Sequence, residues 1–181
     1  MAPDLERKLR ELVDRHEIWS LLLRYARGLD RLDNELLRAS YWDDAIDDHH
    51  SFVGTPDEFV SWTSDFAHTT TVQHHGLNNH YCEVDGDNAY SETYYTYLGA
   101  NVEPPHLLSI GRYIDHFERR DGVWKIANRV TVIEKNFTLE NHPADAIVVA
   151  GDTSLGPLRP ATRDRSDLSY QRPVRPRRPL G

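Results

Sequence analysis

The helical patterns of this chain all precede its long strand patterns, and this segregation limits the possible folds more than any other feature. Apolar residues recur at three- and four-residue intervals between residues 4 and 29, which predicts one long amphipathic helix. The second half of the domain predicts four strands, over residues 77–84, 89–102, 107–119 and 123–134. Helices followed by an antiparallel sheet are typical of an α+β domain in which a curved sheet encloses a pocket.

Capping residues place two further helices. Thr55-Pro56-Asp57-Glu58 combines a capping box with proline at the first helical position, which predicts a helix over residues 56–66. Asp33 is suited to cap a short helix over residues 34–40. Asp30 then lies in the junction between two helices, where its carboxylate can turn inward.

Turn residues divide the strands into two hairpins. Asp85–Asn88 is a polar turn between the first two strands, and Asp121-Gly122 joins the last two. Asp-Gly is a strong hairpin signal because both central positions of the turn adopt positive φ.

Length and charge indicate one domain with a distinct tail. The 181 residues, of which 39% are hydrophobic and 28% charged, fit a globular domain over residues 1–145. A Pro- and Arg-rich tail follows over residues 146–181, and its composition predicts disorder. The net charge is -8, although residues 159–181 hold seven arginines against Asp164 and Asp167. The acidic body argues against nucleic acid or an acidic membrane as partner, and the tail has no aromatic interleaving typical of RNA binding.

The chain shows no signs of export or membrane insertion. Its start has mixed charges, and no segment approaches the roughly 20 apolar residues of a membrane span. The single cysteine, Cys82, excludes an internal disulfide, and its strand context favours a small buried side chain over a nucleophile. A cytoplasmic location is expected.

Four segments carry a resemblance to a known family. They are, in order, Leu22–Asp30, a predicted turn at Tyr41–Ala45, Gln73–Asn78 and Phe117–Ile126. Together they resemble the SnoaL-like branch of the nuclear transport factor 2 superfamily, over residues 5–137. This branch includes scytalone dehydratase, bile acid 7α-dehydratase and hexachlorocyclohexane dehydrochlorinase. The resemblance implies a cone-shaped α+β barrel, a lyase that needs no cofactor, and assembly as a homodimer or homotrimer.

The resemblance also implies four catalytic residues. His74 aligns with the family's catalytic histidine, and Asp30 aligns with the acid that orients it. Tyr25 lies where the dehydratases place a hydrogen-bonding phenol, and Arg129 lies where the dehydrochlorinase suggests a cation for the developing anion. In this interpretation the neutral imidazole removes a proton while the other groups stabilise the departing charge.

The choice between two adjacent histidines stays open. Neighbouring residues of a strand face opposite sides, so only one of His74 and His75 can enter the pocket. We predict His74 as the base, and His75, Trp42 and Tyr97 as substrate contacts. The aromatic strand residues, among which Tyr94 and Tyr95 cannot both face inward, suit a cyclic or aromatic small molecule.

The predicted reaction is dehydration by β-elimination from a hydroxylated cyclic or aryl compound. Retro-aldol cleavage, dehydrohalogenation and double-bond migration begin with the same base, and the sequence does not separate them. Two other classes stay open: a non-catalytic ligand-binding or assembly module, and the small subunit of a ring-hydroxylating dioxygenase. A metal site built from His49, His50, His74 and His75 with Asp47 or Asp48 is disfavoured, because the histidine pairs are adjacent in sequence and no metal motif is present. The substrate, its stereochemistry, the oligomer number and the role of the tail are not determined by the sequence.

Overall fold

A computed structural model describes residues 3–140 and 161–176 of the chain. The helices are α1 (Pro3–Arg31), α2 (Asn34–Arg38) and α3 (Pro56–Phe66). The strands are β1 (Tyr41–Asp48), β2 (Val53–Gly54), β3 (Thr70–Asp85), β4 (Asn88–Asn101), β5 (His106–Arg120) and β6 (Val123–Leu139). Of the helices within these ranges, none has the length and apolar character needed to cross a membrane.

The predicted capping residues Asp33 and Thr55 precede the first residues of α2 and α3. The Thr55 hydroxyl accepts a hydrogen bond from the Glu58 N–H at 3.4 Å, and the Glu58 carboxylate accepts one from the Thr55 N–H at 2.8 Å. This capping box confirms α3 with the predicted bounds. Asp33 caps α2 by accepting from the Leu36 N–H at 3.2 Å. The helix α2 ends at Arg38, two residues earlier than predicted.

Gly28 lets the first two helices approach closely. A Cβ at this position would lie 2.8 Å from the backbone nitrogen of Leu37, a distance that no side chain tolerates. The chain leaves α1 through Leu32, which has a φ of 51°, and the Asp33 N–H bonds back to the Gly28 carbonyl at 2.9 Å. This sharp exit turns the last residues of α1, including Asp30, toward the sheet.

Six strands form one curved mixed sheet in the order β2-β1-β6-β5-β4-β3. The β1 and β6 strands pair in parallel, whereas the other neighbours are antiparallel. The expected turn at residues 41–45 is wrong, because these residues form the first part of β1. Four acidic residues in β1 obscure the sequence pattern of a strand. The strand forms because β6 supplies a long edge for pairing.

The two predicted hairpins are present. Gly86 has a φ of 61°, and Asp121 and Gly122 have φ of 52° and 78°, as two-residue hairpin turns require. The β3 strand begins at Thr70, seven residues before the predicted start, and its pairing with β4 shifts register between Leu77 and His80. Such shifts bend a sheet, so the long strands curve around the helices.

The core lies between α1 and the concave face of the sheet. Ile18, Leu22 and Tyr25 of α1 are fully buried and belong to one cluster with residues of the sheet. The sheet side of this cluster includes Tyr41, Tyr95, Tyr113, Phe117 and Ile126. Each such side chain contributes about 1.5–3 kcal/mol on burial. The fold is therefore the cone-shaped α+β barrel that the resemblance implied.

Part of the tail packs against the helices. The Arg31 guanidinium donates to the Thr162 carbonyl at 2.8 Å, and the Tyr170 hydroxyl donates to Asp33 at 2.8 Å. Arg27 lies over the Tyr170 ring, 4.6 Å from its centroid. The prediction of a disordered tail is thus wrong for residues 161–176, because composition does not reveal these specific contacts. Residues 146–160 and 177–181 lie outside the described residues.

Candidate active site

A pocket opens between α3 and the concave face of the sheet. Its cavity volume is about 170 Å³, and the wider space that includes the open mouth is about 800 Å³. Its apolar and aromatic wall is formed by Leu29, Phe59, Trp62, Phe66, Tyr95, Tyr97, Leu107, Tyr113 and Ile133. The polar groups on this wall are His49, Ser51, Thr63, Gln73, His75, Ser109, Thr131 and Asn136. A few polar groups in an apolar wall are typical of a site that orients a small organic ligand.

Asp30 and His75 form a hydrogen-bonded pair at this wall. The His75 Nδ1 lies 2.6 Å from the Asp30 Oδ1, and both side chains are largely buried, with 8% and 13% exposure. The His75 backbone N–H also donates to both Asp30 oxygens, at 3.1 Å each. Because the carboxylate accepts from Nδ1–H, the ring keeps the tautomer that leaves Nε2 as the acceptor for a ligand.

The prediction that His74 contacts Asp30 is wrong. Along β3, Gln73 and His75 turn toward the pocket while His74 lies exposed on the other face. The strand places His75 opposite Tyr97 and His74 opposite Leu98. Register decides which of two adjacent side chains faces inward, and a sequence pattern of two successive histidines does not encode it.

Tyr97 lies where it was predicted, on the pocket wall. Its ring packs on His75 with 4.8 Å between the ring centroids. Burial raises the pKa of Tyr97 to about 12, so the phenol stays protonated at neutral pH. Tyr95 also lines the pocket, whereas Tyr94 is 38% exposed, so the expected alternation of these two residues is confirmed.

Arg129 does not line the pocket, contrary to its predicted role at the substrate. Its guanidinium is fully buried and donates to both oxygens of Asp115, at 2.6 and 2.8 Å. It lies over the rings of Tyr25 and Tyr113, at 4.0 and 4.1 Å. Burial alone would lower the pKa of Arg129, but Asp115, Tyr41 and Tyr25 together raise that pKa well above its usual value. Arg129 is thus a fixed cation beneath the pocket floor.

Tyr25 also lies beneath the floor rather than in the pocket. Its ring is fully buried and packs edge-on against Tyr113, a pocket residue, at 5.7 Å between centroids. Burial raises the pKa of Tyr25 well above its usual value. Tyr25 and Asp30 are five residues apart on a helix that advances 1.5 Å per residue, so their side chains lie at different depths.

Trp42, predicted to contact substrate, lies outside the lining of this pocket. The indole N–H donates to the Glu118 carbonyl at 3.0 Å, and Arg120 and Lys125 each lie 4.9 Å from the ring centroid. Trp42 therefore stabilises the contact between β1 and the β5–β6 hairpin.

Several pocket residues were not predicted from the sequence. Phe59, Trp62 and Phe66 recur at helical spacing on α3, and this signal could have identified the pocket wall. His49 lines the side of the pocket opposite His75, and it contacts Asp47. No sequence motif indicates this contact. Outside this lining, Arg163 of the tail donates to the Thr70 carbonyl at 2.9 Å. Burial lowers the pKa of Arg163, while the charges of Tyr97 and Asp30 oppose that shift.

Other reactive side chains have ordinary environments. Cys82 is buried, and burial raises the pKa of its thiol, which disfavours the nucleophilic thiolate. Among residues 3–140 and 161–176, no group of three or more histidine, cysteine or acidic side chains could hold a metal ion.

Solved structures with the same fold include proteins named as a dehydrochlorinase and a dehydratase. A hexachlorocyclohexane dehydrochlorinase, LinA-type3 from Novosphingobium barchaimii, is 24% identical, with 75% of this chain and 96% of that chain covered and a TM-score of 0.69. A candidate scytalone dehydratase from Novosphingobium aromaticivorans is 20% identical, with 73% and 91% covered and a TM-score of 0.66. A candidate aromatic ring hydroxylase from the same organism is 19% identical, with 70% and 94% covered and a TM-score of 0.66.

No curated protein matches the chain in sequence. The family described as the SnoaL-like domain matches residues 10–130, which include most of α1, all of α2 and α3, the first five strands and the Asp30–His75 pair. Family and fold agree, since a curved six-stranded sheet wraps helices from the N-terminal half. The chain belongs to the SnoaL-like domain family.

Proposed function

We propose that the protein is a lyase that needs no cofactor and uses His75, oriented by Asp30, to remove a proton from a small organic substrate. The first reaction we assign is β-elimination, most simply loss of water from a hydroxylated cyclic or aryl compound. The observation that carries the proposal is the 2.6 Å contact between Asp30 and the His75 Nδ1 at the wall of the pocket.

The geometry of this pair suits a general base. Asp30 is fixed by three contacts to His75, two of them to the backbone N–H, so it cannot swing away from the ring. A fixed carboxylate holds the tautomer with Nε2 unprotonated and stabilises the imidazolium that forms when Nε2 takes a proton. A positioned base of this kind contributes about 10² to 10⁴ to a rate.

The wall of the pocket supports a cyclic or aromatic substrate. Phe59, Trp62, Tyr95, Tyr97 and Tyr113 offer flat apolar surfaces around the pair. Such a wall excludes water, and electrostatic interactions strengthen in a medium of low polarity. The Tyr97 hydroxyl, which stays protonated, is available as a hydrogen-bond donor to a substrate carbonyl.

The structures named as a dehydrochlorinase and a scytalone dehydratase support elimination as the first reaction to test. Retro-aldol cleavage and double-bond migration need the same base and remain within the proposal. A non-catalytic module would gain if Asp30 and His74 lay beyond hydrogen-bond reach, and His74 is indeed exposed on the other face of β3. The contact of Asp30 with His75 supports catalysis in its place. Assembly as a homodimer or homotrimer stays a prediction, which sedimentation tests.

The test is a screen of the full chain against cyclic β-hydroxy ketones and chlorinated cyclohexanes in deuterated water. Mass spectrometry then follows both the eliminated product and deuterium incorporation next to the carbonyl. We expect wild-type protein to produce one or both signals and the His75→Gln variant to lose them. Ligand binding without either signal in the wild type would contradict the proposal and favour a binding module. Co-purification with a larger iron-sulfur subunit would favour the dioxygenase alternative.

A further inference from the structure

A second acid–histidine pair lies on the pocket wall, at the end of β1. The His49 Nδ1 lies 3.1 Å from the Asp47 Oδ1 and 3.1 Å from the Thr131 Oγ1. Asp47 is fully buried, and its other oxygen accepts a short hydrogen bond from the Tyr41 hydroxyl. These contacts fix the imidazole through Nδ1 and leave Nε2 as the nitrogen for a ligand, as in the Asp30–His75 pair.

The two pairs lie on opposite sides of one pocket. His49 follows β1 and His75 belongs to β3, and β6, β5 and β4 lie between these strands in the sheet. Aromatic rings form the floor between them: His75 packs on Tyr97 at 4.8 Å, and His49 lies 6.2 Å from Tyr113. A flat substrate on this floor has one imidazole at each side.

His49 lies above a group of buried charged side chains. Beneath it lie two carboxylates, Asp47 and Asp115, and the guanidinium of Arg129 that pairs with Asp115. Asp47 is held by the Tyr41 hydroxyl and by the ring of His49. His75 differs, because its one acid, Asp30, also accepts the backbone N–H.

We propose that His49 is the general acid of the reaction and donates its Nε2 proton to the leaving group. This inference rests on the proposed function and assigns the residue that completes it. His75 Nε2 takes the proton next to the substrate carbonyl, and the C–H electron pair becomes the new C=C bond. The C–O bond breaks with its electron pair on oxygen, which takes the His49 proton and leaves as water or an alcohol. His75 then returns its proton to solvent, and His49 recovers one.

The test varies the leaving group. β-Aryloxy cyclohexanones release a phenol and cyclohexenone, and the phenol is tuned from para-nitrophenol, a good leaving group, to para-methoxyphenol, a poor one. General acid assistance is needed only for the poor leaving group. We expect His49→Gln to turn over the para-nitrophenyl ether within about threefold of wild type but to lose about 10²-fold with the para-methoxyphenyl ether. His50→Gln, an exposed neighbour, is the matched control and should behave as wild type.

Each other outcome has a distinct meaning. An equal loss for both ethers in His49→Gln would overturn the acid role while the base role of His75 stands. Both roles are supported if His75→Gln loses turnover of both ethers while His49→Gln loses turnover of the para-methoxyphenyl ether alone. Turnover of neither ether by wild type above buffer would remove the proposed function and this inference with it. If His49→Gln does not fold, wild type alone decides, because an enzyme with a general acid shows a shallow dependence on leaving-group acidity and one without shows a steep dependence.

Discussion

Two acid–base pairs of this molecule share the same contact distance and differ in where they lie. Asp30 and His75 meet at 2.6 Å on the pocket wall, and Asp115 and Arg129 meet at 2.6 Å beneath the pocket floor. The first pair keeps a ring nitrogen for a ligand, whereas the second is fully buried, with two hydrogen bonds from Arg129 to Asp115. The family resemblance placed one member of each pair, Asp30 and Arg129, in catalysis. Burial separates a group that can touch substrate from one that supports the floor.

The largest expected effect breaks the buried pair. Arg129→Leu leaves the Asp115 carboxylate buried without its cation, so the free energy of unfolding should fall by about 3–5 kcal/mol. Urea unfolding measures the change. Arg112→Leu is the matched control, because Arg112 pairs with Glu92 and Glu134 at the solvent-exposed surface and its loss should lower the free energy of unfolding far less. A stable Arg129→Leu protein with lost turnover would instead restore the catalytic role predicted from the resemblance.

The next effect tests the exposed pair through its acid. Asp30→Asn keeps an acceptor for the backbone N–H of His75 but loses the charge that fixes the tautomer, so turnover should fall by about 10²-fold, or ~2.7 kcal/mol in the barrier. Thermal unfolding should change little. Asp65→Asn, an exposed acid on α3, serves as control. Undiminished turnover in Asp30→Asn would show that the carboxylate does not orient the base.

A smaller effect is expected from the aromatic wall beside the pair. Tyr97→Leu removes the ring that packs on His75, and a contact of this kind contributes about 0.5–1.5 kcal/mol. We expect KM to rise by about 2- to 10-fold with a smaller change in kcat. Tyr94→Leu, on the opposite face of the same strand, is the control. Equal effects of the two substitutions would mean that the wall does not contact the substrate.

The smallest effect concerns a histidine remote from the pocket pair. Burial lowers the pKa of His80 below its usual value of 6.5, so the unfolded chain binds a proton more readily than the folded one. The contribution of neutral His80 to the free energy of unfolding is present above the usual pKa of 6.5. It is lost as the pH falls through the lower pKa of the folded state. Urea unfolding at about pH 8 and about pH 5.5 should show a smaller loss in His80→Gln than in wild type. An equal loss in both proteins would assign the acid sensitivity to other groups.

The sequence predicted those elements whose signals are local. The capping box at Thr55 and Glu58 and the positive-φ turn at Asp121-Gly122 depend on neighbouring residues alone, and both are present. The β1 strand depends on pairing with β6, eighty residues later in the chain, and its acidic composition gave no local indication.

The site was predictable to the same extent. Asp30 was identified because it ends a helix, whereas the choice of His75 over His74 depends on strand register. Arg129 and Tyr25 were placed by alignment, which gives position along the chain but not depth below the pocket floor. The Asp47–His49 contact joins residues two apart on one strand end, a spacing common to any alternating strand.

The most direct test of the central claim compares the two adjacent histidines. The elimination rate of a substrate from the screen is measured for His74→Gln and His75→Gln, with folding checked by thermal unfolding. We expect His74→Gln to match wild type and His75→Gln to lose about 10² to 10⁴ in kcat, because only His75 is held by Asp30 inside the pocket. Full activity of His75→Gln, or loss in His74→Gln alone, would contradict the account.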